Sequence, residues 1–234
     1  MPRNTQSDLR TLAYVMRRTN YGEADRILNL ITPEGKVAAI ARSVRKEKSK
    51  LAGAVEMFSL IDINIHRGRS ELGVVTGAKM LKYYGGILKD FDRMELAGMI
   101  LRRVNAAAES MEYSAEVETP EYFRIVDSCL KALDAGAELQ VVESWFWFNL
   151  IATMGEQINL YFDVTGEKLS PEVLYEWDFG EMALKASLNG AIDAEMIKLM
   201  RLLLSSDLEV VLRVKGVSEK CEKILRIARA AAKV

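Results

Sequence analysis

YGEADRILNLITPEGK, residues 21–36, is the stretch of this 234-residue chain that decides the fold of its first third. The apolar run from Ile27 to Ile31 predicts a β-strand. Pro33-Glu34-Gly35 predicts the tight turn that follows it, because Pro presets φ and Gly tolerates a positive φ. The next strand is predicted over residues 37–41. Short strands joined by a tight turn are typical of a small β-domain.

Three more strands are predicted around this stretch, over residues 9–16, 55–66 and 71–81. In the second of them, apolar side chains alternate with polar ones, which is the pattern of a strand with one buried face. Five short strands with one long basic connection after the third predict the five-stranded oligonucleotide/oligosaccharide-binding (OB) barrel.

After residue 82 the period of the apolar residues changes from two to about 3.6, which predicts helices. Asp92 is the predicted N-cap of the first helix, and Thr119-Pro120-Glu121 the predicted start of the second. A helix over 139–154 is apolar nearly all round and is therefore expected at the centre of a bundle. The last helices are predicted over 192–204, 207–214 and 217–232. The chain is thus predicted to be α+β, with an OB-fold domain at 1–82 and an all-helical domain at 83–234, interrupted by a hairpin near 156–190.

Charge is distributed unevenly along the chain, although the net charge is only −1. Residues 1–80 carry 14 Lys+Arg and 8 Asp+Glu, whereas the remaining residues carry 18 and 25. Six basic residues lie between Lys36 and Lys50, against the single acid Glu47. A basic loop in a small β-domain is suited to holding a phosphate backbone, so the first part of the chain is predicted to contact nucleic acid.

Several classes of function are not supported by the sequence. Cys129 and Cys221 form no CxxC pair, and His66 is the only histidine, so neither a thiolate zinc site nor a Ser/His/Asp set is expected. There is no phosphate-binding GxxxxGK[ST] loop. The N-terminus does not resemble a signal peptide, and the apolar stretch 141–154 is too short to cross a bilayer. We therefore expect a cytoplasmic protein that is not an enzyme, with no metal, no cofactor and no membrane partner.

Six short motifs follow one another between residues 21 and 69: Tyr21–Ile27, Thr32–Gly35, Ala41–Arg45, Ser49–Gly53, Phe58 and Arg67–Arg69. Their order and spacing resemble those of the RecO family of bacterial recombination mediators. The rest of the chain is similar to the family only in being helical and of the right length.

The resemblance implies an OB barrel joined to a helical domain that binds single- and double-stranded DNA and anneals complementary strands. It also implies two protein partners, RecR and the single-stranded-DNA-binding protein SSB, a role in loading the RecA recombinase, and no covalent chemistry. Two departures stand out. Many relatives have Gly where this chain has Ser43, and many carry a four-cysteine zinc element where this chain has Phe162–Lys168 without a cysteine. We therefore expect a zinc-free hairpin held by packing alone.

The residues expected to contact DNA are basic ones that neutralise phosphates, together with one aromatic ring. Tyr21 is suited equally to packing and to stacking on a base, and Arg26 equally to DNA contact and to bracing the turn through Asp25. The full set is Arg17, Arg18, Tyr21, Arg26, Lys36, Arg42, Arg45, Lys46, Lys48, Lys50, Arg67 and Arg69.

Two further surfaces are suggested by the helical half. Lys220, Lys223, Arg226 and Arg229 share one side of the last helix and form either a second DNA stripe or an ordinary solvated face. The acidic, phenylalanine-ended tail of SSB calls for an apolar pocket with a basic rim. Candidate residues for that pocket are Arg102, Arg103, Arg124, Lys131 and Trp145.

Two other functions remain open at this point. An OB-fold module that binds RNA or tRNA would have the same barrel and basic loop. A hydrolase with a carboxylate-bound metal is disfavoured, because the chain has one histidine and no clustered acidic motif.

Overall fold

The structure, a computed structural model, describes residues 7–68, 72–111 and 120–231. Arg69, one of the predicted DNA contacts, lies outside the described residues, as does Thr119. The chain divides into two compact units, residues 1–134 and 135–234.

The first unit contains a closed five-stranded barrel, as predicted. Its strands are β1 (Ser7–Tyr21), β2 (Asp25–Thr32), β3 (Gly35–Ala41), β4 (Ser59–Arg67) and β5 (Gly73–Tyr83). The order around the barrel is β1-β2-β3-β5-β4, with β3 and β5 parallel and the other neighbours antiparallel. The predicted OB-type barrel in an α+β protein is confirmed.

Alternation of side chains builds the barrel core. Ile61, Ile63 and Ile65 on β4 are fully buried, together with Leu28 and Leu30 on β2. Such alternation turns every second side chain inward. The strand predicted from residue 55 begins only at 59, because the preceding Phe58 has a positive φ of 56° and leaves the extended conformation.

β1 extends five residues beyond its predicted end at Met16. Its polar end, from Arg17 to Tyr21, pairs with Asp25–Asn29 of β2. Backbone pairing rather than burial holds this segment, so the hydrophobic pattern alone does not reveal it.

Two helices, α1 (Phe91–Met111) and α2 (Pro120–Asp134), belong to the same compact unit as the barrel. The buried Tyr14 hydroxyl of β1 donates to Asp127 Oδ1 of α2 at 2.6 Å, and Asn29 of β2 donates to Asn105 of α1 at 3.2 Å. Burial, and after it the bond to Asp127, raises the pKa of Tyr14, so the hydroxyl stays protonated. A division at residue 82 stays a prediction, and these contacts favour one unit that ends after α2.

The start of α1 differs from the prediction by two positions. The helix begins at Phe91, and the Asp90 carboxylate accepts from the Arg93 backbone N–H at 3.0 Å. Asp90 therefore does what was expected of Asp92.

The second unit is built around α3 (Leu139–Thr153), whose residues from Val141 to Ile151 are all buried. It continues with α4 (Ala194–Ser205), α5 (Leu208–Val211) and α6 (Val217–Ala231). The predicted central position of α3 agrees with this burial, because the helix is apolar on every side.

The predicted hairpin near 156–190 contains a small three-stranded sheet. Its strands are β6 (Asn159–Asp163), β7 (Tyr175–Asp178) and β8 (Ala183–Ala186), in the order β6-β8-β7. After β6, Asp163 Oδ1 accepts hydrogen bonds from the Thr165 hydroxyl and from the backbone N–H groups of Thr165 and Glu167. The hydrogen bond from the Thr165 side chain is the largest influence that holds the pKa of Asp163 below its usual range. A carboxylate thus closes the turn, in addition to the packing that was expected to hold it alone.

Two general observations concern the described part of the chain. No helix there is both long and apolar enough to cross a membrane. No group of three or more His, Cys, Asp or Glu side chains there is placed to hold a metal ion.

Candidate nucleic-acid interface

The basic connection after β3, residues 42–58, is a compact loop fixed to the barrel; we call it the basic loop. Val44 and Val55 lie in the barrel core, with 1% and 0% of their surface exposed. Between them, successive turns are closed by backbone hydrogen bonds such as Ser49 N–H to Lys46 C=O at 2.9 Å. Buried valines near both ends hold the loop close to the barrel. The charged residues between them therefore lie on a segment that is attached to the barrel at two points.

The basic loop contacts the β1–β2 turn, residues 21–25. Asp25 Oδ1 accepts from the Ser43 backbone N–H at 2.6 Å, and the Arg45 N–H donates to the Ala24 carbonyl at 2.9 Å. The Arg45 guanidinium also donates to the Gly22 carbonyl at 3.0 Å and to the Glu23 carbonyl. The predicted pairing of Asp25 with Arg26 is therefore wrong: Arg26 Nε donates to Asn20 instead.

The contact places Arg42 and Lys46, which neighbour Ser43 and Arg45 in the chain, close to the turn that begins at the predicted aromatic residue, Tyr21. Tyr21 at the turn is 56% exposed, and the basic side chains of residues 42–50 are exposed as well. Within the described residues, no acidic side chain forms an ion pair with these cations, which are Arg42, Lys46, Lys48 and Lys50. We call these four residues the loop cations. Exposed positive charge and exposed aromatic rings are the two features that proteins combine to hold a nucleic-acid strand.

Other predicted DNA contacts have partners within the protein. Lys36 is the clearest case: its side chain is only 10% exposed and its Nζ lies 3.6 Å from Glu109 of α1. Arg18 is half-buried and pairs with Glu56 at 2.6 Å. Arg17, at the β1 bulge, and Arg67, at the end of β4, are exposed. Lys36 and Arg18 therefore already have carboxylate partners within the protein.

Of the four basic residues in the predicted stripe on α6, two form ion pairs within the second unit and two do not. Arg229 makes two hydrogen bonds of 2.6 Å with the carboxylate of Glu143, and Lys220 lies 3.3 Å from Glu195. Lys223 and Arg226 are exposed, with no ion-pair partner among the described residues. Half of the stripe is therefore neutralised by carboxylates of the same unit.

The residues predicted for a partner pocket do not share one environment. Arg102 and Arg103 are exposed on α1, and Arg124 and Lys131 on α2, where Lys131 pairs with Asp127 at 2.7 Å. Trp145 on α3 has no exposed surface, and its indole N–H donates to the Ser206 carbonyl at 2.8 Å. Its ring is part of the core of the second unit and offers no surface to a partner.

A pocket that the sequence did not reveal lies in the second unit, with a volume of about 220 Å³; we call it the α4–α6 pocket. Its lining is apolar at Leu199, Leu202, Val214 and Val217 and charged at Glu195, Lys198, Lys215 and Lys220. In the sequence, the pocket is indicated only by two lysines, Lys215 and Lys220, that lie close to Gly216. Their spacing does not predict a pocket by itself, because the other wall is supplied by the distant helix α4.

Comparison with known proteins agrees with this architecture. The sequence profile described as "Recombination protein O N terminal" matches residues 7–84, and that described as "Recombination protein O C terminal" matches residues 106–233. Together the two matched ranges cover most of the chain.

Individual proteins of similar sequence are named DNA repair protein RecO. A DNA repair protein RecO from Dehalococcoides mccartyi is 32% identical over 154 residues, which is 65% of this chain and 58% of the relative. One from Roseiflexus is 32% identical over 152 residues, 65% of this chain and 52% of the relative. One from Bifidobacterium longum is 36% identical over 121 residues, 51% of this chain and 48% of the relative. The matches thus span roughly half of the length of these relatives, whereas the two profiles extend over both units; this chain belongs to the recombination protein O (RecO) family of DNA repair proteins.

Proposed function

We propose that this chain is a non-enzymatic recombination mediator that binds single- and double-stranded DNA through the basic loop and anneals complementary strands. The observation that supports the proposal is that the loop cations are exposed, have no ion pairs among the described residues, and lie on a loop hydrogen-bonded to the turn that begins at the exposed Tyr21. Lysine and arginine side chains neutralise phosphates and release counterions without reading sequence.

Annealing follows from the same surface. Cations that screen the repulsion between two phosphate backbones allow complementary strands to approach while their bases stay available for pairing. In this proposal the protein acts with RecR and SSB to help load RecA, and its site of action is the cytoplasm.

The direct test is fluorescence annealing of complementary oligonucleotides, with and without SSB. The intact protein should accelerate annealing. A variant with Lys46→Ala and Lys48→Ala should lose most of that acceleration, while a variant with Lys168→Ala, an exposed lysine of the second unit, should keep it. Equal acceleration by all three proteins would refute the loop as the site of action.

A competition experiment between DNA and RNA distinguishes the proposed DNA binding from the RNA-binding alternative. Single-stranded DNA and RNA of equal length and sequence should compete about equally if phosphates dominate binding. A strong preference for RNA would favour the RNA- or tRNA-binding function instead.

A second proposal concerns the SSB partner and rests on the α4–α6 pocket. The apolar lining is accompanied by three lysines, Lys198, Lys215 and Lys220, against the single carboxylate Glu195, which suits a peptide that is acidic and ends in an aromatic residue. The excess positive charge would steer such a tail, and the apolar lining would bury its terminal ring. We propose this pocket as the site of the SSB tail.

Two lysines near or on α6 provide a matched test of the tail site. Lys215 lines the pocket and Lys223 does not, and both are exposed. Titration with a labelled SSB tail peptide should show about five- to tenfold weaker binding for Lys215→Ala, the cost of one charge-assisted contact. Lys223→Ala should bind as the unaltered protein does. Equal effects of the two substitutions would place the tail elsewhere.

A further inference from the structure

The basic loop and the β1–β2 turn are joined by hydrogen bonds that involve two charged side chains, Asp25 and Arg45. We propose that Asp25, together with Arg45, is a positioning residue that holds the basic loop in its DNA-binding conformation. The inference rests on the proposed function of the basic loop. It assigns to an acidic residue a favourable role in binding a polyanion.

Ser43 is the reason the loop needs such a contact. Its φ is 53°, in the left-handed region, where a residue with a Cβ is strained. A strained conformation persists only where surrounding contacts hold it. The Ser43 N–H points to the Asp25 carboxylate at 2.6 Å, and hydrogen bonds to an ionised acceptor are stronger than neutral ones.

Arg45 completes the connection from the loop side. Its backbone N–H and its guanidinium reach three consecutive carbonyls of the turn, those of Gly22, Glu23 and Ala24. A guanidinium has a planar set of donors suited to two acceptors at once, which an ammonium lacks. Arg45, predicted as a DNA contact, is thus directed at the turn. Because its backbone is held there, the loop cations next to it in the chain are held near the turn as well.

The consequence for DNA is preorganisation. Arg42 precedes Ser43 directly, and Lys46 follows Arg45 directly, so the two contacts fix the backbone between these cations. A loop already held in its bound conformation loses less conformational entropy when it binds. Releasing the loop should weaken DNA binding even if every cation remains.

Simple electrostatics makes the opposite prediction for Asp25. Its negative charge lies beside the loop cations and repels phosphate, so removing the charge should tighten DNA binding. If Asp25 positions the loop, removing its hydrogen-bond acceptor should weaken binding. The sign of the effect therefore distinguishes the two roles.

The experiment compares Asp25→Ala with Asp25→Asn in the full chain, by fluorescence anisotropy with a labelled single-stranded oligonucleotide. Both substitutions remove the charge, but Asn keeps an oxygen that can accept from the Ser43 N–H. Asp25→Ala should bind about three- to tenfold more weakly than Asp25→Asn, the effect expected of one hydrogen bond. Glu47→Gln, which removes an exposed charge from the same loop, should bind as tightly as the unaltered protein or more tightly.

Two further measurements separate the possible failures. Hydrogen exchange at the Ser43 amide should quicken in Asp25→Ala and not in Asp25→Asn. Arg45→Lys, which keeps the charge, should also weaken binding. Binding by Asp25→Ala as tight as by Asp25→Asn, or unaltered binding by Arg45→Lys, would overturn the positioning role.

The variant with Lys46→Ala and Lys48→Ala tests the proposed function itself. If that variant binds as the unaltered protein does, the basic loop is not the DNA site and the positioning role fails with it. If it binds weakly while Asp25→Ala does not, the DNA site stands and only the positioning role fails.

Discussion

The basic loop and α6 carry similar runs of basic residues in the sequence, but the structure gives their charges different partners. In the basic loop, Arg42, Lys46, Lys48 and Lys50 have no ion pairs among the described residues. On α6, Arg229 is paired with Glu143, and Lys220 lies near Glu195. A count of basic residues therefore overstates the charge that α6 can present to DNA. What matters is whether a carboxylate of the same unit has already neutralised each cation.

The largest effect that follows from this difference is on stability. Arg229→Ala leaves the Glu143 carboxylate, which is only 8% exposed and also accepts from the Trp147 indole N–H, without its cation. We expect the free energy of unfolding to fall by about 2 kcal/mol. Urea unfolding of the full chain measures the change.

Arg226→Ala on the same helix is the control for that prediction. Arg226 is exposed, so its removal should change the free energy of unfolding by no more than about 0.5 kcal/mol. Equal effects of the two substitutions would mean that Arg229 is a surface cation like its neighbour.

A smaller effect should appear when a neutralising carboxylate is removed from the α4–α6 pocket. Glu195 lies 2.9 Å from Lys198 and 3.3 Å from Lys220. Glu195→Gln should leave both lysines available and tighten binding of an acidic peptide about two- to fivefold. Glu222→Gln, at an exposed position of α6 outside the pocket lining, is the matched control. Weaker peptide binding by Glu195→Gln would show that the carboxylate itself is needed in the pocket.

The smallest effect concerns pH. Hydrogen bonds from Lys198 and then from Lys220 hold the pKa of Glu195 below its usual range. The stabilising contribution of these pairs is therefore complete above the ordinary glutamate pKa of about 4.3 and is lost as pH falls through the lower folded-state value. Carboxyl NMR should give a midpoint for Glu195 below that of a glutamate peptide. A midpoint at or above the peptide value would contradict the pairing.

Sequence alone was sufficient for the elements with strong local patterns. The alternation of Ile61, Ile63 and Ile65 and the Pro33-Glu34-Gly35 turn both predicted what the structure contains, and Gly35 has a φ of 118°. In each case, neighbouring residues determine the local geometry.

Contacts between residues far apart in the chain could not be predicted from the sequence. Nothing local to Lys36 indicates that Glu109 faces it, and nothing local to Asp25 indicates that Ser43 lies at its carboxylate. The charge pattern could identify the basic loop as a candidate site. It could not separate the cations that are available to a ligand from those already bound to the protein.

We attribute the binding of the phosphate backbone to the basic loop and not to α6. The salt dependence of single-stranded DNA binding distinguishes the two with three full-length proteins: the unaltered chain, a triple variant with Arg42, Lys46 and Lys48 replaced by Ala, and a double variant with Lys223 and Arg226 replaced by Ala. The plot of log affinity against log salt should have a slope near −3 to −4 for the unaltered chain, and the triple variant should lose about 2 of it, since each phosphate contact contributes about 0.7. The double variant should keep the slope of the unaltered chain. A slope reduced in the double variant and unchanged in the triple variant would place the phosphate contacts on α6 and not on the basic loop.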